Sequence, residues 1–485
     1  MFPPRTDLLR VLPELIFCAG GTLLMLLQPF LRNRHALSFL ALLSSAAATA
    51  SAAFYFSPLY PGTAFNGLLR ADGFSFFFHV LIGLVVFLVL LASASYLDRE
   101  RLAPAEFYAL ILFAAAGMGV LASAQELLTA FIGLELSSIS SYVLAGYRRE
   151  SPRSGEAAMK YFLLGSFATA FFLYGIALVY GATRTTFLPQ MAASDGSSTL
   201  VKLGLALILI GLAFKVSAAP FQVWTPDVYE GAPTPVTALF SAGPKAAAFA
   251  LLLRIFSTAP ADSYIWFWIF WILAALTMFT GNLGALVQSS VKRMLAYSSI
   301  AHAGYILVAI CTFAFRDSDE LNRSMGLAAV LYYLVAYALM KLGAFTVVSH
   351  LGGVGEKNLS LDDYAGLGRR QPFAAAALSL FLLSLLGLPA TAGFFGKFYI
   401  FKAALHSHLV WLAVLMAVNS IIGAYYYLRL IVVMYMREPR PDAAPATFSF
   451  AVSLVLTITA LGTVYFGLFP NSIISFASQP GLLGR

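Results

Sequence analysis

Long apolar segments separated by short polar loops recur from one end of the chain to the other. A helix needs about 20 mostly apolar residues to cross a bilayer, and these segments reach that length. The pattern therefore predicts an all-α polytopic membrane protein with about fourteen transmembrane helices. The predicted spans are 11–31, 37–57, 73–96, 105–124, 126–146, 157–181, 201–219, 235–257, 264–288, 293–314, 324–350, 372–404, 408–435 and 446–469.

Two of the predicted helices are interrupted. The seventh stops at Pro220, and the twelfth is too long for one straight crossing and contains GLPATAG at 387–393, with Pro389 inside it. Interrupted segments in corresponding places of two halves are typical of transporters that contain an internal repeat. We therefore predict two inverted repeats of five helices, made of helices 4–8 and 9–13, in which helices 7 and 12 are broken.

The chain is interpreted as a single membrane domain over residues 1–485. Its predicted parts are 1–104 with helices 1–3, 105–257 with the first repeat, 264–435 with the second repeat, and 446–469 with the last helix. The connectors are too short to hold a separate domain outside the membrane.

Composition agrees with this architecture, because 60% of the residues are hydrophobic and 11% are charged, whereas soluble proteins carry about 25% charged residues. The net charge of +8 comes mostly from short loops, as in membrane proteins generally, and does not indicate nucleic-acid binding. Cys18 and Cys311 lie in separate apolar segments and form no CxxC pair. Histidine spacing predicts no metal site, and no nucleotide-binding motif is present.

Basic residues are more frequent in the loops that follow odd-numbered spans, with fourteen there and ten on the other side. They are dense at 148–153 and 369–370. The positive-inside rule therefore predicts a multi-pass protein of the bacterial inner (plasma) membrane with both termini outside. Arg5 and Arg10 precede the first apolar run as in a signal peptide, but no small-residue cleavage site follows, so we interpret that run as the first span.

Several charged residues lie within the predicted spans. They are Glu135, the only central acidic residue, the central lysines Lys215, Lys245, Lys341 and Lys397, and Lys160 about one turn into helix 6. A lysine at the bilayer centre costs about 3 kcal/mol or more, which indicates a function. Burial can lower a lysine pKa until the group exchanges protons near neutral pH, whereas arginine stays charged. A row of lysines with one carboxylate therefore favours a proton relay over anion binding.

Each of these lysines could instead be a structural ion-pair partner or reach towards a helix end. The central positions of Lys215, Lys245 and Lys397 beside the helix breaks favour the relay. Both interpretations stay open for Lys160 and Lys341.

Other polar residues carry weaker signals. His302, in YSSIAHAGY, is either a hydrogen-bonded core residue or a relay member, and Asp227 is interpreted as a loop or cap residue. Arg254 lies close enough to a helix end to reach water by snorkelling. Glu14 and Asp72 fall at span ends, where water or headgroups are expected to reach them.

Three stretches of the sequence resemble a known family. They are FKVSAAPFQVWTPDVYEGAPTPVTALFSAGPK, VKRMLAYSSIAHAGY and GLPATAGFFGKF. They resemble the antiporter-like membrane subunits of respiratory complex I, and the PDVYEGAPTPVTA wording is more similar to the subunit N type than to the subunit L or M types. The similarity spans essentially all fourteen predicted helices.

The resemblance implies a proton channel within the chain: a glutamate–lysine pair on helices 5 and 7, a connecting residue on helix 8 and an exit-side residue on helix 12. The matching residues are Glu135, Lys215, Lys245 and Lys397. Lys341 departs from the family pattern, in which a neutral polar residue is common there.

The resemblance also implies that the redox chemistry belongs to other subunits. In such a complex, electrons pass from NADH through FMN and iron–sulfur clusters to quinone, and this chain would carry no cofactor. The expected partners are other complex I subunits, especially neighbouring membrane subunits, and the lipid bilayer, but not nucleic acid.

Three alternatives stay open at this point. An Na⁺/H⁺ antiporter subunit of the Mrp type shares the fold and the lysines, although the PDVYEG wording disfavours it. A homologous subunit of a ferredoxin-dependent photosynthetic complex would have a similar sequence. A purely structural membrane spacer is disfavoured by the charges within the spans.

Overall fold

The computed structural model describes residues 4–31, 33–55, 62–193, 198–258, 263–314, 320–439, 448–479 and 482. Four arginines that entered the loop charge count, Arg32, Arg316, Arg440 and Arg485, lie outside the described residues.

Helices make up nearly all of the described structure. They are α1 (Arg5–Arg10), α2 (Leu12–Leu27), α3 (Arg34–Tyr55), α4 (Gly73–Arg99), α5 (Pro104–Ser123), α6 (Leu127–Ala145), α7 (Pro152–Thr183), α8 (Leu188–Ala192), α9 (Thr199–Val216), α10 (Trp224–Gly231), α11 (Thr234–Thr258), α12 (Ser263–Leu286), α13 (Val291–Ala314), α14 (Glu320–Leu351), α15 (Leu367–Arg370), α16 (Pro372–Leu386), α17 (Ala392–His406), α18 (Val410–Met436), α19 (Phe450–Leu468) and α20 (Asn471–Ala477). Short 3-10 turns cover Val354–Glu356 and Leu361–Tyr364.

The predicted all-α membrane architecture is confirmed. Within the described ranges, twelve helices are long and apolar enough to cross a membrane, and α2 and α16 are shorter apolar helices. The number of fourteen spans and the inverted repeat stay predictions. One small element was missed: strands β1 (Gly62–Ala64) and β2 (Leu69–Ala71) form an antiparallel hairpin. Strands of three residues are too short to show an alternating pattern.

Both predicted helix breaks are present. Helix α9 ends at Val216, and α10 begins at Trp224, so Pro220 lies in the connection between them. Pro389 lies in the corresponding connection between α16 and α17. Gly387 ends α16 with φ of +99°, a conformation that residues with a β-carbon rarely adopt. The short helix α10 lies where the sequence predicted a loop or cap.

The innermost helices are α11, α13 and α14. Their most apolar windows are 100%, 94% and 89% buried within the chain, compared with 33% for α19. The outer helices therefore face lipid or neighbouring subunits, and the inner helices can hold charged groups away from lipid.

Three charged residues expected to reach water at helix ends, Arg254, Asp72 and Glu14, are buried instead, and the prediction for Asp72, which is 3% exposed, was wrong because Arg254 covers it. Arg254 is 3% exposed and donates to both carboxylate oxygens of Asp72, from Nη1 at 3.1 Å and from Nη2 at 2.9 Å. Its Nε also donates to the backbone carbonyl of Ala122. The snorkelling prediction for Arg254 was wrong because a bidentate partner holds the guanidinium inside the protein. The prediction for Glu14 was wrong as well, since its side chain is buried against His79.

Candidate functional site

The glutamate and lysine predicted to pair lie on α6 and α9. Glu135 is half-buried, and its Oε1 is buried without a hydrogen-bond partner among the described residues. Lys215 lies in the last turn of α9, and its Nζ is 5.4 Å from the ring centroid of Tyr142 and 5.3 Å from that of Tyr161. These two described charges form no direct ion pair, although the Glu135 carboxylate attracts Lys215 through space.

The tyrosine rings also stabilise the charged form of Lys215, in addition to the Glu135 carboxylate. A desolvated ammonium over aromatic rings gains on the order of 2 kcal/mol, less than a carboxylate in direct contact can supply. The carboxylate of Glu135 and the ammonium of Lys215 are therefore not in direct contact, and the two rings supply part of the stabilisation of the ammonium. Sequence reasoning missed both tyrosines, although Tyr142 lies two helical turns from Glu135 on the same face of α6.

Lys245 lies at the centre of the inner helix α11 and is 2% exposed. Its Nζ donates to the backbone carbonyl and to Oγ of Ser299 on α13, both at 2.9 Å. The Ser299 hydroxyl in turn lies 2.5 Å from the Tyr337 hydroxyl on α14. Three inner helices thus meet through one lysine and two hydroxyl groups that can both donate and accept hydrogen bonds.

Lys341 on α14 is fully buried and does not reach a helix edge. It donates to the Leu295 carbonyl and to the Ser298 hydroxyl on α13, both at 2.8 Å. The Ser298 hydroxyl lies 2.5 Å from the Tyr427 hydroxyl on α18. The structure therefore brings Lys341, the residue that departs from the family pattern, into the same helix interface as Lys245.

Lys397 lies on α17, just after the second helix break. Its Nζ donates to the carbonyl of Leu386, the last residue of α16, at 2.9 Å, and lies 4.9 Å from the Tyr305 ring centroid. Carbonyls at a helix C-terminus lack intrahelical partners and carry partial negative charge, so they attract a cation. A β-carbon on Gly387 would lie 3.3 Å from Cδ of Lys397, so glycine leaves room for the lysine stem. The interruption between α16 and α17 therefore provides both the free carbonyl that Lys397 contacts and the space for its side chain.

His302 is linked to Lys341 by hydrogen bonds through Tyr427 and Ser298. It is 1% exposed, with Nδ1 2.5 Å from the Tyr333 hydroxyl and Nε2 3.1 Å from the Tyr427 hydroxyl. Lys341, Ser298, Tyr427, His302 and Tyr333 thus form one unbroken chain of hydrogen bonds. The positive field of the three lysines just described reaches the imidazole ring. The hydrogen bonds of His302 fit the core-residue interpretation and its position beside Lys341 fits the relay interpretation, so both stay open.

Lys160 is not brought to this cluster. Its side chain is 40% exposed and forms ion pairs with Glu156 at 2.6 Å and Asp227 at 2.7 Å. Asp227 also pairs with Arg293 of α13 at 2.7 Å. Exposed pairs of this kind contribute little stability, about 1 kcal/mol or less. The geometry of Lys160 fits the ion-pair interpretation that the sequence left open.

Glu356 links α11, which carries Lys245, to α13, which carries Ser299. It lies in a loop, and its role was not predicted from the sequence. It is 7% exposed. It accepts from Nζ of Lys292 on α13 at 2.7 Å, and from the backbone N–H and hydroxyl of Thr234, the first residue of α11, at 2.7 and 2.8 Å. A carboxylate at a helix N-terminus is stabilised by the helix dipole. Glu356 thereby fixes α11 against α13.

The pKa of Glu356 follows from these contacts. Burial alone would raise it, but the Lys292 ammonium and the hydrogen bonds from Lys292 and Thr234 outweigh burial and lower the pKa below its ordinary value of 4.5. A carboxyl whose folded pKa is lowered stabilises the fold above its unfolded pKa, and this stability is lost as the pH falls through the folded pKa.

We expect Glu356→Gln to destabilise the chain by about 3 kcal/mol at neutral pH, because the substitution leaves Lys292 as a buried charge without its counterion. The variant should also lose the part of the acid sensitivity that develops below pH 4.5 in the wild type. The measurement is the midpoint of thermal unfolding of the protein as a function of pH. Glu438→Gln, outside the helix interfaces, serves as the control. Equal stability of Glu356→Gln and wild type at neutral pH would contradict the assignment.

Comparison with known proteins places this geometry among membrane transport subunits. Residues 124–423 match the family described as NADH:quinone oxidoreductase/Mrp antiporter, TM. NADH-quinone oxidoreductase subunit N 1 of Solibacter usitatus is 51% identical over 99% of this chain and 98% of its own. A chain of respiratory complex I from Thermus thermophilus, solved with bound aureothin, is 36% identical, with a TM-score of 0.81 over 96% of this chain and 98% of that chain.

A chain of the Mrp complex from Dietzia sp. also has a similar structure. It gives a TM-score of 0.86 over 98% of this chain and 96% of that chain, at 21% sequence identity. At this identity the likeness shows a shared fold, and it leaves the choice between the two functional classes to the sequence relatives.

Proposed function

Because the chain belongs to the subunit N group of the NADH:quinone oxidoreductase/Mrp antiporter membrane family, we propose that it translocates protons as a membrane subunit of a respiratory complex I. The resemblance inferred from the three sequence motifs is confirmed by this membership. Its partners are the other subunits of that complex, since the similar Thermus thermophilus chain is part of one. The chain is a multi-span membrane protein, and we propose the bacterial inner membrane with both termini outside.

The observation that carries the proposal is the burial of Lys245, Lys341 and His302 in the inner helices, with the half-buried Lys397 of α17 beside them. A fixed structural charge inside a membrane protein is commonly paired with a carboxylate, whereas the contacts of all three lysines among the described residues are with neutral carbonyl and hydroxyl oxygens and aromatic rings. Lysines solvated in this way can lose a proton without leaving a counterion buried and unpaired. The arrangement therefore fits proton transfer better than static pairing.

The proposed path begins at the Glu135–Lys215 pair. When the carboxylate is close, Lys215 keeps its proton, and when the pair opens, only the aromatic rings hold the ammonium. The proton then passes to Lys245 and through the hydroxyl groups and His302 towards Lys397. Side-chain hydroxyls and imidazole both donate and accept, so they can carry a proton in either direction. Water completes the path where no direct hydrogen bond connects the described residues.

Lys341 takes part in this proposal as a branch of the path. It donates to Ser298, whose hydroxyl leads through Tyr427 to His302. A proton arriving at Lys245 places a second charge close to Lys341, and repulsion between the two favours movement of a proton onwards. Lys160 lies outside the path.

In this proposal the energy comes from redox chemistry in other subunits. NADH, FMN, iron–sulfur clusters and quinone belong to the rest of the complex, and this chain carries no redox centre of its own. Conformational or electrostatic coupling then opens and closes the contact between Glu135 and Lys215. The enzyme class of the complex is accordingly a proton-translocating NADH:quinone oxidoreductase.

We expect Glu135→Gln to reduce proton translocation by about tenfold, because a neutral amide cannot switch the charge on Lys215. Glu135→Asp keeps the carboxylate and should reduce it less. The measurement is proton uptake by proteoliposomes that contain the purified complex, divided by NADH oxidised. Glu156→Gln, on an exposed carboxylate of α7, is the matched control and should behave as wild type. If Glu135→Gln also behaves as wild type, the pair is not a switch.

A further inference from the structure

A buried acid–base pair lies outside the lysine cluster. Glu14 on α2 and His79 on α4 are 6% and 4% exposed, and Oε1 of Glu14 lies 2.7 Å from Nε2 of His79. The other carboxylate oxygen, Oε2, is buried and has no hydrogen-bond partner among the described residues. Nothing in the proposed proton path uses either residue.

Gly119 of α5 makes room for the pair. A β-carbon at this position would lie 2.8 Å from Oε1 of Glu14 and 3.1 Å from Nε2 of His79. Real β-carbons essentially never approach another atom as closely as 2.8 Å. Three helices, α2, α4 and α5, therefore close directly around the two reactive atoms.

The hydrogen bonds of His79 determine how many protons the pair holds. Its Nδ1 lies 2.7 Å from the backbone carbonyl of Ser75, which only accepts, so Nδ1 carries a hydrogen. Nε2 then faces the Glu14 carboxyl group at 2.7 Å. If neither Nε2 nor the carboxylate carried a hydrogen, two lone pairs would repel each other at this distance. One further proton therefore lies between Nε2 and Oε1.

We propose that Glu14 and His79 form a second proton-binding site of this chain, which holds one proton while α2 and α4 are in contact and releases it when they separate. The proton resides on Nε2 as an imidazolium beside a carboxylate, or on Oε1 as a carboxylic acid beside a neutral imidazole. In both forms the pair is neutral in total. On release the N–H or O–H bond breaks, the proton passes to water, and the pair is left with one negative charge.

The charged groups around the pair leave this proton in place. Arg254 of α11 is directed to Asp72 and to the Ser75 hydroxyl, at 2.9 and 2.6 Å from Nη2. Asp72 at the start of α4 also pairs with Nε of Arg70 at 3.2 Å, so the two arginines more than balance its charge. Cys18 lies one turn beyond Glu14 on α2. The residues that α5 contributes to these contacts, Gly119, Ala122 and Ser123, are uncharged.

The pair can therefore release its proton only when α2 and α4 move apart. Oε2 of Glu14 has no hydrogen-bond partner among the described residues, so a negative charge left on this carboxylate in the closed arrangement would be poorly solvated, which is unfavourable. Separation of α2 from α4 would admit water to both atoms and remove this cost. The site thus couples the protonation of one pair to the packing of the first helices, independently of the lysine path.

The Glu14→Gln variant distinguishes a role of Glu14 in binding a proton from a purely structural role. A glutamine amide can donate to Nε2 of neutral His79 and keep the contact, but it has no acidic proton to exchange. The measurement is the infrared difference spectrum of the purified complex between neutral and alkaline pH, in H₂O and in D₂O, after equilibration long enough for transient separation of α2 from α4 to let the pair lose its proton. The wild type minus Glu14→Gln difference should contain the signal of one carboxyl or imidazolium group that shifts in D₂O. Assembly on a native gel should be retained.

Two further variants serve as a second test of the pair and as a control. His79→Gln removes the other half of the pair and should lose the same signal, which gives the answer even if Glu14→Gln does not assemble. Glu106→Gln, on a partly exposed carboxylate at the other end of α5, should keep the signal. Spectra of Glu14→Gln or His79→Gln that equal the wild-type spectrum would overturn the proposal. Because the readout is protonation and not pumping, failure here does not bear on the lysine path.

Discussion

Replacing Lys215 with alanine is expected to reduce proton transfer through this chain by about 100-fold or more, while the complex stays assembled. The substitution removes the ammonium group that lies over the Tyr142 and Tyr161 rings and is attracted by the Glu135 carboxylate. It leaves no buried cation without a partner, because the ammonium is removed with its side chain. Loss of transfer without loss of assembly is what separates a relay group from a structural one.

Lys202→Ala is the matched control, since Lys202 lies in the first turn of the same helix, α9. It should leave proton translocation unchanged. Both variants are compared in proteoliposomes by the number of protons taken up for each NADH oxidised. An assembled Lys215→Ala complex with the wild-type ratio would remove Lys215 from the path.

The sequence could predict the lysines and the helix breaks because each is visible within one segment. A charge in an apolar run is costly wherever the run packs, so Lys215, Lys245 and Lys397 stand out without knowledge of their neighbours. Pro220 and Gly387 interrupt a helix through their own backbone preferences. Both signals are local. The helix breaks lie where the pattern predicted, whereas Lys215 and Lys397 lie near the helix ends beside the breaks and not at the middle of their helices.

The partners of the lysines could not be predicted in the same way. Tyr427 contacts Ser298 and His302 from α18, more than a hundred positions further along the chain. In an apolar helix a tyrosine contributes to hydrophobic periodicity like any aromatic residue, and only tertiary packing decides what its hydroxyl meets. Lys341 was left open for the same reason, since its burial depends on α13 packing against α14.

Burial at the ends of helices was the least predictable feature. Asp72 and Glu14 fall where a helix would normally meet water, and the sequence of one helix does not tell whether another helix covers its end. Here α11 supplies Arg254 to Asp72, and α4 supplies His79 to Glu14. Glu356 is a similar case, because the N-terminus of α11 encloses a loop residue. Such sites depend on the arrangement of several helices.

Lys397→Arg is expected to impair proton translocation nearly as much as Lys397→Ala. An arginine can still donate to the Leu386 carbonyl at the end of α16, so it supplies the same fixed positive charge. Its pKa above 12 prevents release of a proton at neutral pH. If Lys397 passes protons to the exit, transfer through the chain should fall about 100-fold. If it only neutralises the helix end, arginine should replace it fully.

The measurement that tests the relay most directly is quinone-dependent proton uptake by proteoliposomes of the Lys397→Arg complex, divided by the rate of NADH oxidation. Both rates are reported, because tight coupling can slow oxidation itself. Lys402→Arg, on an exposed lysine of the same helix, is the control. The relay predicts a lowered ratio, or slowed oxidation, for Lys397→Arg and Lys397→Ala alike, with Lys402→Arg at the wild-type values. Wild-type rates and ratio for Lys397→Arg would show that Lys397 acts as a fixed charge, and would contradict the relay at its exit.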